Sequence, residues 1–147
     1  MAALTAPAAA PGTTAPSAPP SVRVLYFAEP LPGFPGHRDY VLVPGDTAGL
    51  LFWLQSVAPD GPRFLTVSAR DFFPDYRPVV PLVVRSELGL DDVDQAQVLC
   101  LVSVPGGDPI EATANLRAPV VVAPSTHCAR QVIQSDPDLP LRRRLRR

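Results

Sequence analysis

The chain has 147 residues, 46% of them hydrophobic, with 20 prolines and a formal net charge of −1. That length suits one domain with a core large enough to fold alone, and the lack of any apolar run of about 18 residues excludes a transmembrane helix. The 13 basic residues are all arginines, and five of them stand in the last six positions; residues 1–141 therefore hold eight arginines against 14 acids, a net of −6. An acidic body repels nucleic acid and favours basic partners.

Met1–Ser21 carries no charge and is mostly alanine and proline. Pro7, Pro11 and Pro16 interrupt the unbroken apolar stretch that a secretory signal needs. Residues 1–21 are thus expected to be a disordered Ala/Pro-rich tail, with the domain starting at Val22 and the protein cytoplasmic. Short apolar runs then follow at Val22–Phe27, Tyr40–Val43, Leu51–Val57, Phe64–Ser68, Gln97–Val104, Pro119–Ala123 and Arg130–Gln134. Each reads as a strand, and Pro/Gly/Asp clusters separate them. Val98–Val104 is apolar on both faces, which fits a strand covered on two sides or wrapped into a small barrel. Twenty prolines argue against long helices. One short helix is expected at Pro81–Leu88, with Pro81 at a first helical position and Gly89 as C-terminal cap. The fold class is therefore all-β: an antiparallel β-barrel-like single domain with one short helix.

Thr113-Ala-Asn-Leu-Arg-Ala-Pro-Val-Val-Val122 joins a polar turn to a β-branched core strand. Asn115 there is suited to bonding its own backbone.

Groups able to do chemistry are sparse. His37 and His127 stand far apart, each without neighbouring ligands at metal spacing, so no metal or cofactor is expected. Ser56, Ser68 and Ser103 lie in strands without a nucleophile elbow or a nearby histidine in sequence. Asp71 and Asp75 flank Phe72-Phe73. They leave open a small carboxylate-based hydrolase or sugar-binding β-domain, against the simpler reading of a proline-containing turn. Pro105-Gly-Gly-Asp108 reads as a hairpin turn, since no lysine and no helix follow it. Cys100 sits in an apolar strand and Cys128 in a loop; a reduced pair is expected. The arginine-rich end could contact phosphates, as in an RNA-binding barrel, but reads more simply as a solvated tail.

Four segments carry a resemblance: Phe27-Ala-Glu-Pro-Leu-Pro-Gly-Phe34, Trp53-Leu-Gln-Ser-Val57, Asp71-Phe-Phe-Pro-Asp-Tyr76 and Thr113–Val122. Arg130-Gln-Val-Ile133 and Leu139-Pro-Leu-Arg142 continue it. In order and spacing they resemble the FliW family of flagellar assembly factors over residues 22–142. The chain departs from that pattern at Pro30, where the family usually has glycine, and at Ala123-Pro124, where the strand normally ends in asparagine. Its Ala/Pro tail also stands where the family has a leading strand.

The resemblance implies a cytoplasmic, non-enzymatic barrel that switches partners. It would bind newly made flagellin, and also the RNA-binding translational regulator CsrA, whose repression it relieves, without binding nucleic acid or membrane itself. The domain is then residues 22–141, and 142–147 form an arginine-rich tail. Partner contacts are expected at Phe34, Leu54, Gln55, Phe73, Tyr76, Asn115 and Arg117. Glu87, Asp91, Asp92 and Asp94 would supply a field hostile to phosphate.

Overall fold

The computed structural model describes residues 22–145; the expectation for residues 1–21 lies outside them. Strand formation follows the period-2 apolar pattern. In β1 (Arg23–Phe27), Leu25 and Phe27 are buried while Val24 and Tyr26 face out, as a pleated strand with one face in a core requires. The alternation continues in β2 (Asp39–Pro44), with Tyr40 and Leu42 inside, and in β3 (Leu51–Ser56), with Phe52, Leu54 and Ser56 inside. The chain proceeds through β4 (Arg63–Ser68), helices α1 (Ala69–Phe72) and α2 (Leu82–Leu88), β5 (Gln97–Ser103), the two-residue β6 (Thr113–Ala114), β7 (Val120–Ala123), β8 (Cys128–Gln131) and the two-residue β9 (Arg143–Arg144).

Among the described residues, seven strands close a ring: β1, β2, β3, β4, β5, β7 and β8, with β8 returning to β1. A ring of purely antiparallel neighbours needs an even number of strands, so seven demand one parallel seam. That seam is β1–β8, with Tyr26 opposite Cys128 and Phe27 opposite Ala129. The fold is mainly β, as the sequence leads one to expect, but the barrel is mixed and carries two short helices. β6 and β9 form a small flange on β5.

Three clusters hold the fold together. Leu25, Phe27, Tyr40, Leu42, Leu54, Leu99, Val120 and Val122 fill the barrel. Outside it, α2 lays Val84 and Leu88 on Val121 and Ala123, so the β7 sequence Val-Val-Val-Ala is buried on both faces. On the β4–β5 side, Ala69, Phe73 and Leu116 cover Val67 and Cys100.

The expected helix is present, with Pro81 as N-cap rather than first helical residue. Gly89 ends it in the left-handed region (φ 73°), and Leu90 N–H donates to the Arg85 carbonyl at 2.8 Å. The last core strand differs from its expected range, Arg130–Gln134. It begins at Cys128, directly after the tight turn at His127 (φ 63°), so Cys128 is strand rather than loop. It stops at Gln131 because its partner beyond Val120 is Pro119, which has no N–H to give a ladder. Only isolated bonds continue, from Val132 N–H to the Pro119 carbonyl (2.9 Å) and from Gln134 N–H to the Arg117 carbonyl (2.7 Å).

The arginine-rich end is not a free tail. β9 pairs with β6, Arg144 bridges Glu111 at 3.0 Å, and the Arg143 guanidinium lies 5.3 Å from the Phe73 ring centre. Leu145 packs against the outer cluster beneath α1. The domain therefore runs past Leu141; Arg146 and Arg147 lie outside the described residues.

Candidate partner-binding surfaces

The strand directions put the starts of β1 and β5 at one end of the barrel. There the Arg23 guanidinium donates to the Gln97 side-chain oxygen; burial holds that arginine below its usual range. At the opposite end the barrel opens into an apolar groove of about 370 Å³. Leu31 and Phe34 line it from the loop after β1, Phe64 from the start of β4 and Leu101 from β5. Asn115, Arg117 and Ala118 come from the segment before β7, and Ile133 and Leu141 from the C-terminal portion. Phe34 stacks edge-on against Phe64, ring centres 5.5 Å apart. Pro32, Ile133 and Leu141 are the exposed members, the last two 68% and 53% accessible.

Asn115 behaves as the sequence suggests: its side-chain oxygen accepts from Arg117 N–H at 2.8 Å. Arg117 donates from Nε to the Leu139 carbonyl (2.9 Å) and from Nη2 to the Pro137 carbonyl (2.8 Å). Leu116 N–H donates to the Pro140 carbonyl at 3.0 Å, and the Leu116 carbonyl accepts from the Tyr76 hydroxyl.

Other expected contact residues lie elsewhere. Leu54 is fully buried (0% exposed) in the barrel and Phe73 nearly so in the outer cluster; both act through packing, since neither offers surface. Gln55, one residue on, is exposed on the outer face of β3, opposite Val41 and Arg63. Tyr76 belongs to a second concavity, a cleft of about 580 Å³ between the loop after α1 and the turn Val93–Gln95. Burial, with a smaller effect of Cys100, raises the Tyr76 hydroxyl pKa, and burial pushes the Cys100 thiol up to about 12.

Asp94 lines this cleft, and Asp92 caps the turn by accepting from Asp94 N–H at 2.9 Å. Asp91, Asp92 and Asp94 are exposed together on one loop. Glu87 stands apart on α2, paired with Arg130 at 2.6 Å, and Arg130 also reaches Glu29 at 3.2 Å; the Glu87 bond raises the arginine's pKa. Glu87 is thus partly neutralised, and the unpaired-looking acid of the sequence reduces to the aspartate loop.

Asp71 lines the cleft but Asp75 does not. Arg70 closes one side of it by donating to the Asp94 carbonyl at 3.2 Å, and Arg77 donates to the Pro74 and Tyr76 carbonyls. Asp71 and Asp75, the carboxylate pair offered by the sequence, therefore do not share a pocket as acid–base hydrolysis would need; the second carboxylate lining the cleft is Asp94.

One pairing was hidden in the sequence: His37 Nδ1 lies 2.8 Å from Ser56 Oγ. Ser56 is buried, and its oxygen also accepts from Ala58 N–H at 3.1 Å. The contact ties the loop before β2 to the end of β3 and lines neither concavity. Phe64, Leu101, Ile133 and Leu141 were also missed as site residues, because each looks like ordinary strand or tail in one dimension.

No helix of the described residues is long and apolar enough to cross a membrane. A family model described as FliW protein matches residues 16–145. The chain is 37% identical over 109 residues to a flagellar assembly factor FliW of Syntrophotalea carbinolica, covering 74% of this chain and 76% of the relative. It is 32% identical over 120 residues to one of Thermotoga neapolitana, covering 82% and 80%. A crystal structure of a flagellar assembly factor FliW superposes with a TM-score of 0.74 over 83% of this chain and 84% of the other; at 24% identity that likeness speaks for the fold. The chain belongs to the FliW family of flagellar assembly factors, which are non-enzymatic proteins.

Proposed function

We propose that this protein is a cytoplasmic partner-switching factor that captures monomeric flagellin and, when free of it, binds the translational regulator CsrA and relieves its repression of flagellin synthesis. The observation that carries the reading is the groove at the barrel mouth. Its interior neighbours are close-packed, yet Ile133 and Leu141 remain open to solvent beside the Phe34–Phe64 pair. A groove of this kind suits the apolar face of one helix, with a few aromatic and aliphatic anchors dominating affinity. Unassembled flagellin offers such a helix near its termini.

The regulator arm draws support from charge. Asp91, Asp92 and Asp94 stand exposed on an acidic body, and a bound partner with that field disfavours phosphate on an RNA-binding protein. Titration calorimetry of the full chain with purified flagellin monomer, and separately with CsrA, tests both arms. One-to-one binding to each is expected. No heat with flagellin at tens of micromolar, equivalent to about 6 kcal/mol or less, rejects the capture role.

A further inference from the structure

We propose that the C-terminal strap Pro137–Leu141 is a working wall of the groove and that Arg117 is the positioning residue that sets its width; the inference rests on the flagellin reading above. The two exposed aliphatic side chains of the groove, Ile133 and Leu141, arrive on separate stretches of chain with no regular strand holding either. Both stretches are fastened to Arg117. Its carbonyl accepts from Gln134 N–H at 2.7 Å, which places the residue next to Ile133. Its guanidinium takes the carbonyls of Pro137 and Leu139, which places the stretch that ends in Leu141.

Proline explains why a side chain is needed. Pro137 and Pro140 have no N–H, so the strap lacks the donors of a regular ladder, and it is the Arg117 side chain that holds the Pro137 and Leu139 carbonyls. A guanidinium suits the task because its planar fork reaches two acceptors in fixed geometry, which an ammonium does not. Arg117 is itself fixed by the Asn115 turn at 2.8 Å, and Leu116 N–H adds a bond to Pro140. Beyond Leu141 the strap is anchored by β9. One residue thus spaces the two side chains that a helix entering the groove meets first.

The test uses the full chain as wild type, Leu141→Asp, Ile133→Asp and Arg117→Lys, each titrated with flagellin monomer, with CsrA, and with the apolar dye anilinonaphthalene sulfonate. Leu141→Asp and Ile133→Asp alter exposed positions and should melt as the wild type does, yet lose flagellin affinity by about tenfold or more. Arg117→Lys should lose about tenfold with flagellin while CsrA binding stays at the wild-type level, a split that general misfolding does not produce. Flagellin affinities of Leu141→Asp and Arg117→Lys within about twofold of wild type overturn the proposal. If wild type gives no heat with flagellin, the capture role fails on its own account. The dye then decides the wall: weaker dye binding in Leu141→Asp and Arg117→Lys supports it, and unchanged dye binding overturns it.

Discussion

Gly61→Ala puts a single methyl group where the fold has no room. An ideal Cβ at Gly61 stands 2.3 Å from both Cβ and Oγ of Ser56 and 2.9 Å from Cε1 of His37, whereas carbon contacts are comfortable near about 3.5–4.0 Å. Ser56 cannot yield. It is buried, its N–H donates to the Pro62 carbonyl at 2.9 Å, and its oxygen holds both Ala58 N–H and His37. Overpacking of this sort costs about 1–3 kcal/mol. Displacing the hydroxyl adds about 1 kcal/mol for each of its two hydrogen bonds. The reduced freedom of alanine in the unfolded chain returns about 0.5–1 kcal/mol. The net loss is about 2–4 kcal/mol, and for a domain of this size each kcal/mol lowers the melting temperature by about 3–5 °C. Thermal unfolding followed by circular dichroism should therefore show a drop of about 6–20 °C. Ser56→Gly removes the colliding Cβ, so the double variant should be no worse than Ser56→Gly alone, a coupling above about 1 kcal/mol. A Gly61→Ala protein melting within about 2 °C of wild type would refute the reasoning.

Leu54→Ala should lose about 2–5 kcal/mol in urea unfolding, as a fully buried leucine does, while flagellin affinity per folded molecule stays unchanged. Cys100, with its thiol pushed up to about 12 from an ordinary 9.0, ionises far more readily in the unfolded chain. Its contribution is complete below the ordinary value and is lost as pH rises from there toward 12, by up to about 1.4 kcal/mol per pH unit. Urea midpoints at about pH 8 and pH 10 should fall less in Cys100→Ala than in wild type, and a thiol reagent under native conditions should label Cys128 first. Cutting the chain after Leu141 removes β9 and the packing of Leu145; the truncated protein should unfold at lower urea by about 1–3 kcal/mol, measured against full length. Converting Asp91, Asp92 and Asp94 to arginine should weaken relief of CsrA–RNA binding, more at low salt than at high, because exposed charges are screened; no change at any ionic strength would remove the electrostatic arm.

Much of this fold was legible in one dimension because local rules act within a few residues. The period-2 alternation of β1 to β3, the two-faced apolar run of β7, the helix bounded by Pro81 and Gly89, and the self-bonding Asn115 are all determined by neighbours in sequence. Phe34, Asn115 and Arg117 could be singled out from the motifs in which they stand. What stayed hidden was decided by closure. Seven strands force a parallel seam that no single strand announces. β6 and β9 have two residues each, too few to show a period. Leu54 and Gln55 are adjacent and equally prominent in sequence, yet the pleat sends one into the core and the other to solvent. His37 meets Ser56 across 19 residues, and the groove draws Phe34, Phe64, Leu101, Arg117, Ile133 and Leu141 from six stretches of chain. The sequence by itself determined which segments pleat, turn or coil, since backbone sterics and apolar periodicity are local. Only the closed barrel decided which of them share a surface, because that depends on long-range pairings whose free energy no single segment contains.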